Sequence, residues 1–368
     1  MLMLFLVALA GLGLALANGA NANGKPVATL IGSGVLASRS GLAWGFWTTL
    51  AGSLFALFWG AALLKSFSGQ GLVAAQVTAN PAFLPSVALA AAGTVALATR
   101  LSLPVSTTHA LLGGLIGAGL VLGHGQVAWA MVVKKLAGPL LLSPVLALAV
   151  TWVLTPLIRA LTPAAGASDC ACVGVCASVV SPEGALLMTS GVALQVGTYP
   201  ECKLEGGFVL MPPRALALRG LHILSGGAVS FARGLNDTPK IAAVLLPLAL
   251  FGKSGAIVSV ALAMGIGGWF LAKGVTATMS QKITHLEGRE PDALAGNLAT
   301  AFLVLLASRW GVPVSTTHVA TGALVGAGAS RGEFQTKTLA RILTAWVTTL
   351  PLAAALAAVM VVVLGGIQ

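Results

Sequence analysis

The chain has 368 residues, 57% of them hydrophobic and only 8% charged, with a mean hydropathy of +0.96. Soluble domains carry about a quarter charged residues, so this composition excludes a water-soluble globular protein and indicates an all-α polytopic membrane protein with the lipid bilayer as its surroundings. The net charge of +11 does not indicate nucleic-acid binding, because the basic residues are scattered singly between apolar runs, and no nucleic-acid partner is expected.

Residues 1–17, MLMLFLVALAGLGLALA, have the length of a secretory signal. They lack the Lys or Arg that such a segment needs at its start, so a retained first helix is expected. Further apolar runs follow at 26–37, 43–65, 82–99, 104–123 and 138–161. The second half has 215–232, 240–251, 254–272, 293–308, 313–330 and 343–366. About 10–12 membrane segments are expected. The runs 26–37 and 240–251 would cross only part of a hydrocarbon core of about 30 Å, and both are expected to be half-helices broken at polar residues, as in transporter sites at the bilayer midplane.

Between the halves, 162–214 holds all four cysteines and four of the nine acids, and it reads as a soluble insert. The expected organisation is therefore 1–161, a membrane repeat; 162–214, the insert; and 215–368, a second membrane repeat. Partial alternation over GALLMTSGVALQVGTY (184–199) predicts a small β element there. Cys170, Cys172 and Cys176 form a C-x-C-x3-C cluster with Cys202 farther on. The spacing is irregular for zinc, so structural cysteines are expected and neither a metal nor a cofactor is assigned.

The halves repeat. PVSTTHALLGGLIGAG (104–119) and PVSTTHVATGALVGAG (313–328) are identical at eleven of sixteen positions. NGANANGK (18–25) lies over RGLNDTPK (233–240), with Gly, Asn and Lys in register. The two motifs occur in the same order in both halves, which reads as an internal duplication. No acid precedes Asp169, and Asp237 is the one acid set inside an otherwise membrane-like run.

In PVSTTH, proline suits a first helical position and Ser or Thr an N-cap. The product is a helix N-terminus at depth with hydroxyls and free N–H groups, which is a ready anion site. It is built from Ser106, Thr107 and Thr108 and again from Ser315, Thr316 and Thr317. His109 and His318 are expected to brace the turn through a backbone carbonyl, with proton shuttling as the alternative. Asn21 and Asn236 can donate to an oxyanion. Lys25 and Lys240 follow four residues later in register, and Asp237 lies near Lys240. Two lysines against one carboxylate leave a positive pocket that a bound anion would neutralise. No nucleotide-binding loop, zinc-protease motif or catalytic triad pattern appears, so an enzyme is not expected.

These motifs resemble the inorganic phosphate transporter family, whose hallmark is a duplicated G-A-N-D-x-x-N element. SFARGLNDTPK (230–240) resembles it well and NGANANGK (18–25) in part. The resemblance implies two inverted repeats with broken helices and re-entrant hairpins, a homodimer, and a tetrahedral oxyanion at the centre, coupled to sodium or protons. By position it implies anion contacts at Asn21, Ser106, Thr107, Thr108, Asn236, Asp237, Ser315, Thr316 and Thr317. The chain departs from the hallmark at Ala22, where the first Asp is missing, and at Lys25 and Lys240, which replace the final Asn. Ammonium groups in place of oxygen ligands work against sodium, so proton coupling or uncoupled movement is favoured. Donors from Lys, Ser and Thr suit fully ionised sulfate, so sulfate is placed ahead of phosphate, with a sodium- or proton-coupled phosphate transporter as the alternative. An uncoupled anion channel and an intramembrane enzyme using His109, His318 and Asp237 are the competing classes. The compact loops suggest a prokaryotic inner (plasma) membrane.

Overall fold

The computed structural model describes residues 2–162 and 213–366, except 247–251, 284–285, 287–288 and 334, together with strand residues 170–175, 179–180, 186–187, 192–197 and 208–210 of the central segment. The first half contains α1 (Leu2–Ala22), α2 (Gly24–Gly32), α3 (Ser38–Trp59), α4 (Ala61–Ser66), α5 (Ala75–Ala79), α6 (Phe83–Arg100), α7 (Thr107–Leu122) and α8 (Gly138–Leu161), the last entered through a π-helical turn at Val132–Ala137. The second half contains α9 (Pro213–Leu245), α10 (Gly252–Leu271), α11 (Lys273–Gln281), α12 (Glu290–Arg309), α13 (Thr316–Ala329) and α14 (Thr336–Gly365).

Among the described residues, eight helices are long and apolar enough to cross a membrane. With the shorter α7 and α13 they make up the low end of the 10–12 segments expected from the sequence. In lipid the backbone must satisfy its own polar groups, so helices are the only open spanning structure.

In the central segment, β1 (Cys170–Val175) pairs antiparallel with β4 (Val192–Gly197) and β5 (Phe208–Leu210), and β2 (Val179–Val180) pairs with β3 (Leu186–Leu187). Strands β3 and β4 lie in the stretch expected to form a β element. Cys176 and Cys202 lie outside the described residues, and Cys170 and Cys172 are described only as strand backbone.

One expectation fails. Lys240 does not open a half-helix: α9 runs unbroken from Pro213 to Leu245 through Arg233, Asn236, Asp237 and the internal Pro239. The polar side chains that could have unwound it bond to other segments instead. Thr238 Oγ1 donates to Ser53 Oγ at 2.7 Å and Asn236 Nδ2 to the Val314 carbonyl at 3.2 Å. The matching stretch of the first half is only nicked, at Asn23, between α1 and α2, and Asn23 N still donates to Gly19 O at 3.0 Å.

Packing partners recur between the halves. Helix α1 packs on α10 and α6, as α9 packs on α3 and α12. Helix α14 covers α7 and α6, while α8 covers α13 and α12, so the last helix of each half seals the hairpin of the other. At one end of α8, Arg159 donates from Nε and Nη2 to both Asp292 oxygens, at 2.6 and 2.8 Å, which ties it to α12.

Glycines set the approach distances. A Cβ at Gly52 would lie 2.0 Å from Phe231 O, and one at Gly267 would lie 2.0 Å from Leu16 O. The first pair joins α3 to α9 and the second joins α10 to α1, at equivalent places in the two halves. Small residues at such crossings let helix backbones touch, which is how packing is gained without a hydrophobic driving force. Gly52→Val or Gly267→Val should destabilise the protein in detergent by about 1–3 kcal/mol, the usual cost of overpacking. Gly93→Ala, where a Cβ meets nothing within 4 Å, should leave the melting temperature unchanged. Equal melting temperatures for all three variants would contradict the close backbone contact.

Candidate anion site

The PVSTTH segments form non-helical approaches to α7 and α13. Ser106 and Ser315 sit in extended conformation as N-caps, and each side chain accepts from the backbone N of the histidine three residues on, at 3.2 and 3.3 Å. Because the preceding backbone is not helical, the carbonyls of Leu103, Val105 and Val314 have no helical partner. At membrane depth they need donors from elsewhere, and side chains of α1, α2 and α9 supply them.

Asn21 Nδ2 donates to Thr99 Oγ1 and Leu103 O, both at 3.0 Å, and Asn21 Oδ1 accepts from Val105 N at 3.2 Å. Asn236 Nδ2 donates to Val314 O and to Asp237 Oδ1, both at 3.2 Å. Both amides are thus committed inside the protein. They fix the hairpins and do not point free donors at an oxyanion, the role the sequence assigned to them.

The lysines are almost fully buried, Lys25 at 4% and Lys240 at 1% exposure. Lys25 Nζ donates to Asn21 Oδ1 at 2.7 Å, Val105 O at 2.8 Å and Thr317 Oγ1 at 2.7 Å. Lys240 Nζ donates to Thr108 Oγ1 at 2.9 Å and Val314 O at 2.6 Å, and lies 3.8 Å from Asp237 Oδ1. Thr108 and Thr317 therefore face the lysines. Thr107 Oγ1 accepts from Asn18 Nδ2 at 2.8 Å.

Arg233 and Asn18, not singled out from the sequence, complete the centre. Arg233 Nη2 donates to Asn18 Oδ1 at 2.7 Å, and its Nε lies 3.7 Å from Asp237 Oδ2. Asn18 Nδ2 also donates to Asp237 Oδ2 at 3.3 Å. Among the described residues Arg233 Nε has no hydrogen-bond partner, although it is buried. The overlay of the two motifs contained the signal: Arg233 and Asn18 occupy the same register position, and the fold brings them into contact.

Lys25, Arg233, Thr300 and Thr316 line a small buried cavity of about 10 Å³ together with Ala22, the position where the hallmark has an acid. That is room for about one water. Beside it, the His109 and His318 rings meet edge to face at 4.4 Å, and His318 stacks on Trp346 at 3.8 Å. His318 Nδ1 lies 3.2 Å from the Leu140 carbonyl. Among the described residues, no group of three or more His, Cys, Asp or Glu is placed to hold a metal.

The arrangement sets Lys25, Arg233 and the first turn of α13 at Thr316 around the cavity, with a guanidinium N–H that has no hydrogen-bond partner among the described residues; this set suits an anion, and Asp237 beside Arg233 can accept a hydrogen bond. Asn18→Leu removes the acceptor for Arg233 and the donor to Asp237 and Thr107. It should cost about 2–3 kcal/mol of stability, as expected when hydrogen bonds to charged groups are broken. An unchanged unfolding midpoint would show that this network is not intact in solution.

Residues 18–357 match the phosphate transporter family. A Mycobacterium leprae protein described as a probable low-affinity inorganic phosphate transporter is 27% identical over 97% of this chain and 77% of its own length. The chloroplastic inorganic phosphate transporter 2-1 of Arabidopsis thaliana is 27% identical over 93% of this chain and 68% of its own. A solved structure described as the sodium-dependent phosphate transporter matches over the whole of both chains, with a TM-score of 0.76 at 22% identity, and so shares the fold. With the matched region running from Asn18, at the start of the first motif, to Ala357 in the last helix, the chain belongs to the phosphate transporter family.

Proposed function

We propose that this protein carries inorganic phosphate across the cell's inner (plasma) membrane by alternating access. In this reading 1–161 and 215–368 act as two repeats around the central site, and 162–214 is an insert outside them. The observation that carries the reading is the buried charge imbalance: Lys25, Arg233 and Lys240 are grouped with the single carboxylate Asp237. Uncompensated buried charges cost several kcal/mol each, and a bound anion is the simplest compensation. Family membership and the relatives' descriptions support a transporter over an intramembrane enzyme.

The choice of anion changes from the sequence-based preference for sulfate. That preference counted the lysines as free donors, but their N–H groups are engaged by protein oxygens. What remains beside Arg233 is a carboxylate, and a carboxylate favours an anion that carries a proton to donate. Phosphate at neutral pH does, and sulfate does not. The relatives named above are described as phosphate transporters. The proton coupling expected from the lysines and the homodimer expected from the resemblance gain no support from them and form no part of the proposal. The fold neighbour's description makes sodium the first cation to test.

Uptake into proteoliposomes is the test. Labelled phosphate should accumulate, an about tenfold excess of sulfate should leave its uptake unchanged, and Arg233→Gln should lower it by about tenfold or more, the loss expected for a charge-assisted contact to an anion. Preferred uptake of sulfate, or full activity in Arg233→Gln, would contradict the proposal.

A further inference from the structure

The two lysines stand in matching cages. Each ammonium meets one carbonyl from the unwound PVSTTH approach of its own half, Val105 O for Lys25 and Val314 O for Lys240. Each also meets one threonine hydroxyl from the other half, Thr317 for Lys25 and Thr108 for Lys240. The hydroxyls in turn donate to the same carbonyls, Thr317 Oγ1 to Val105 O at 2.9 Å and Thr108 Oγ1 to Val314 O at 3.4 Å. Each hydroxyl therefore turns a lone pair toward the ammonium. The third oxygen is Asn21 Oδ1 for Lys25 and the more distant Asp237 Oδ1 for Lys240.

A cluster of carbonyl, amide and hydroxyl oxygens is the donor set that hard cations select. Hydrogen bonding alone does not explain a lysine here. A neutral amide side chain would bond these oxygens without the penalty of burying a charge. Two ammonium groups carried to equivalent depths at that penalty point to the charge itself as the purpose.

We infer that Lys25 and Lys240 are tethered co-cations: their ammonium groups fill two oxygen cages that would otherwise take free monovalent cations, so the protein binds and moves its anion without sodium. This rests on the anion-transport reading above and adds the origin of the compensating charge. The Val105 and Val314 carbonyls keep a permanent cation while the anion comes and goes. Removing the side chains should leave the cages intact and create a requirement for a small free cation.

The test compares the parent, Lys25→Ala, Lys240→Ala and the double variant in proteoliposomes, with buffers whose only cation is choline, sodium or ammonium. Parent uptake of phosphate should be the same in choline and sodium to within about twofold. The double variant should lose about tenfold or more in choline and recover in ammonium or sodium, because deleting the charge leaves polar oxygens unpaired until a cation returns. Lys25→Arg and Lys240→Arg, which keep the charge, should show no sodium stimulation. Strong sodium stimulation of the parent would overturn the inference while leaving phosphate transport standing. So would full activity of the double variant in choline, or a folded double variant that no cation restores. The parent comparison needs no variant and reads out even if the substitutions fail to fold. Absence of phosphate and sulfate uptake in every buffer would overturn the transport reading and this inference together.

Discussion

Lys25, Arg233 and Lys240 are buried in a protein whose surroundings offer almost no water, and the carboxylate within reach of Arg233 and Lys240 is Asp237. The desolvation cost of those cations constrains everything around them. It explains why α7 and α13 begin at depth after unwound segments, since only non-helical backbone leaves carbonyls free to surround an ammonium. It explains the committed asparagines, which hold those carbonyls in place. It also leaves a centre with three buried basic side chains against one carboxylate, the imbalance on which the proposed anion site rests.

The frame that holds this centre is built from reciprocal contacts. The last helix of each half covers the hairpin of the other, and glycine–carbonyl contacts repeat at equivalent positions of α3 and α10. Each lysine cage likewise takes its carbonyl from one half and its hydroxyl from the other. Neither half can assemble a cage alone. A relative movement of the halves would therefore act directly on the oxygens around both ammonium groups.

Much of this was legible in the residues. Low charge and high hydropathy gave the membrane class, the doubled PVSTTH motif gave the paired helix starts, and the register of Lys25 with Lys240 marked the centre. What was not legible depended on contacts between distant segments. The motif around Asp237 reads as a helix breaker, yet α9 continues, because Ser53 and Val314 supply partners that no local window contains. The asparagines and lysines read as free donors for an anion, yet the nearby carbonyls take them. Arg233 reads as one more isolated basic residue until the fold sets it against Asn18. The preference for sulfate failed for the same reason: it counted donors without knowing which of them were already engaged.

The anion proposed here would sit at Arg233, beside the start of α13. The most direct test is an experimental structure of the protein determined with saturating phosphate. A tetrahedral density should appear within hydrogen-bond distance of Arg233 Nε and of the first turn of α13 at Thr316, in a cavity enlarged beyond its present size, with Lys25 and Lys240 still bonded to Val105 O and Val314 O. Phosphate bound elsewhere, or lysines swung out of their cages to reach it, would contradict the account.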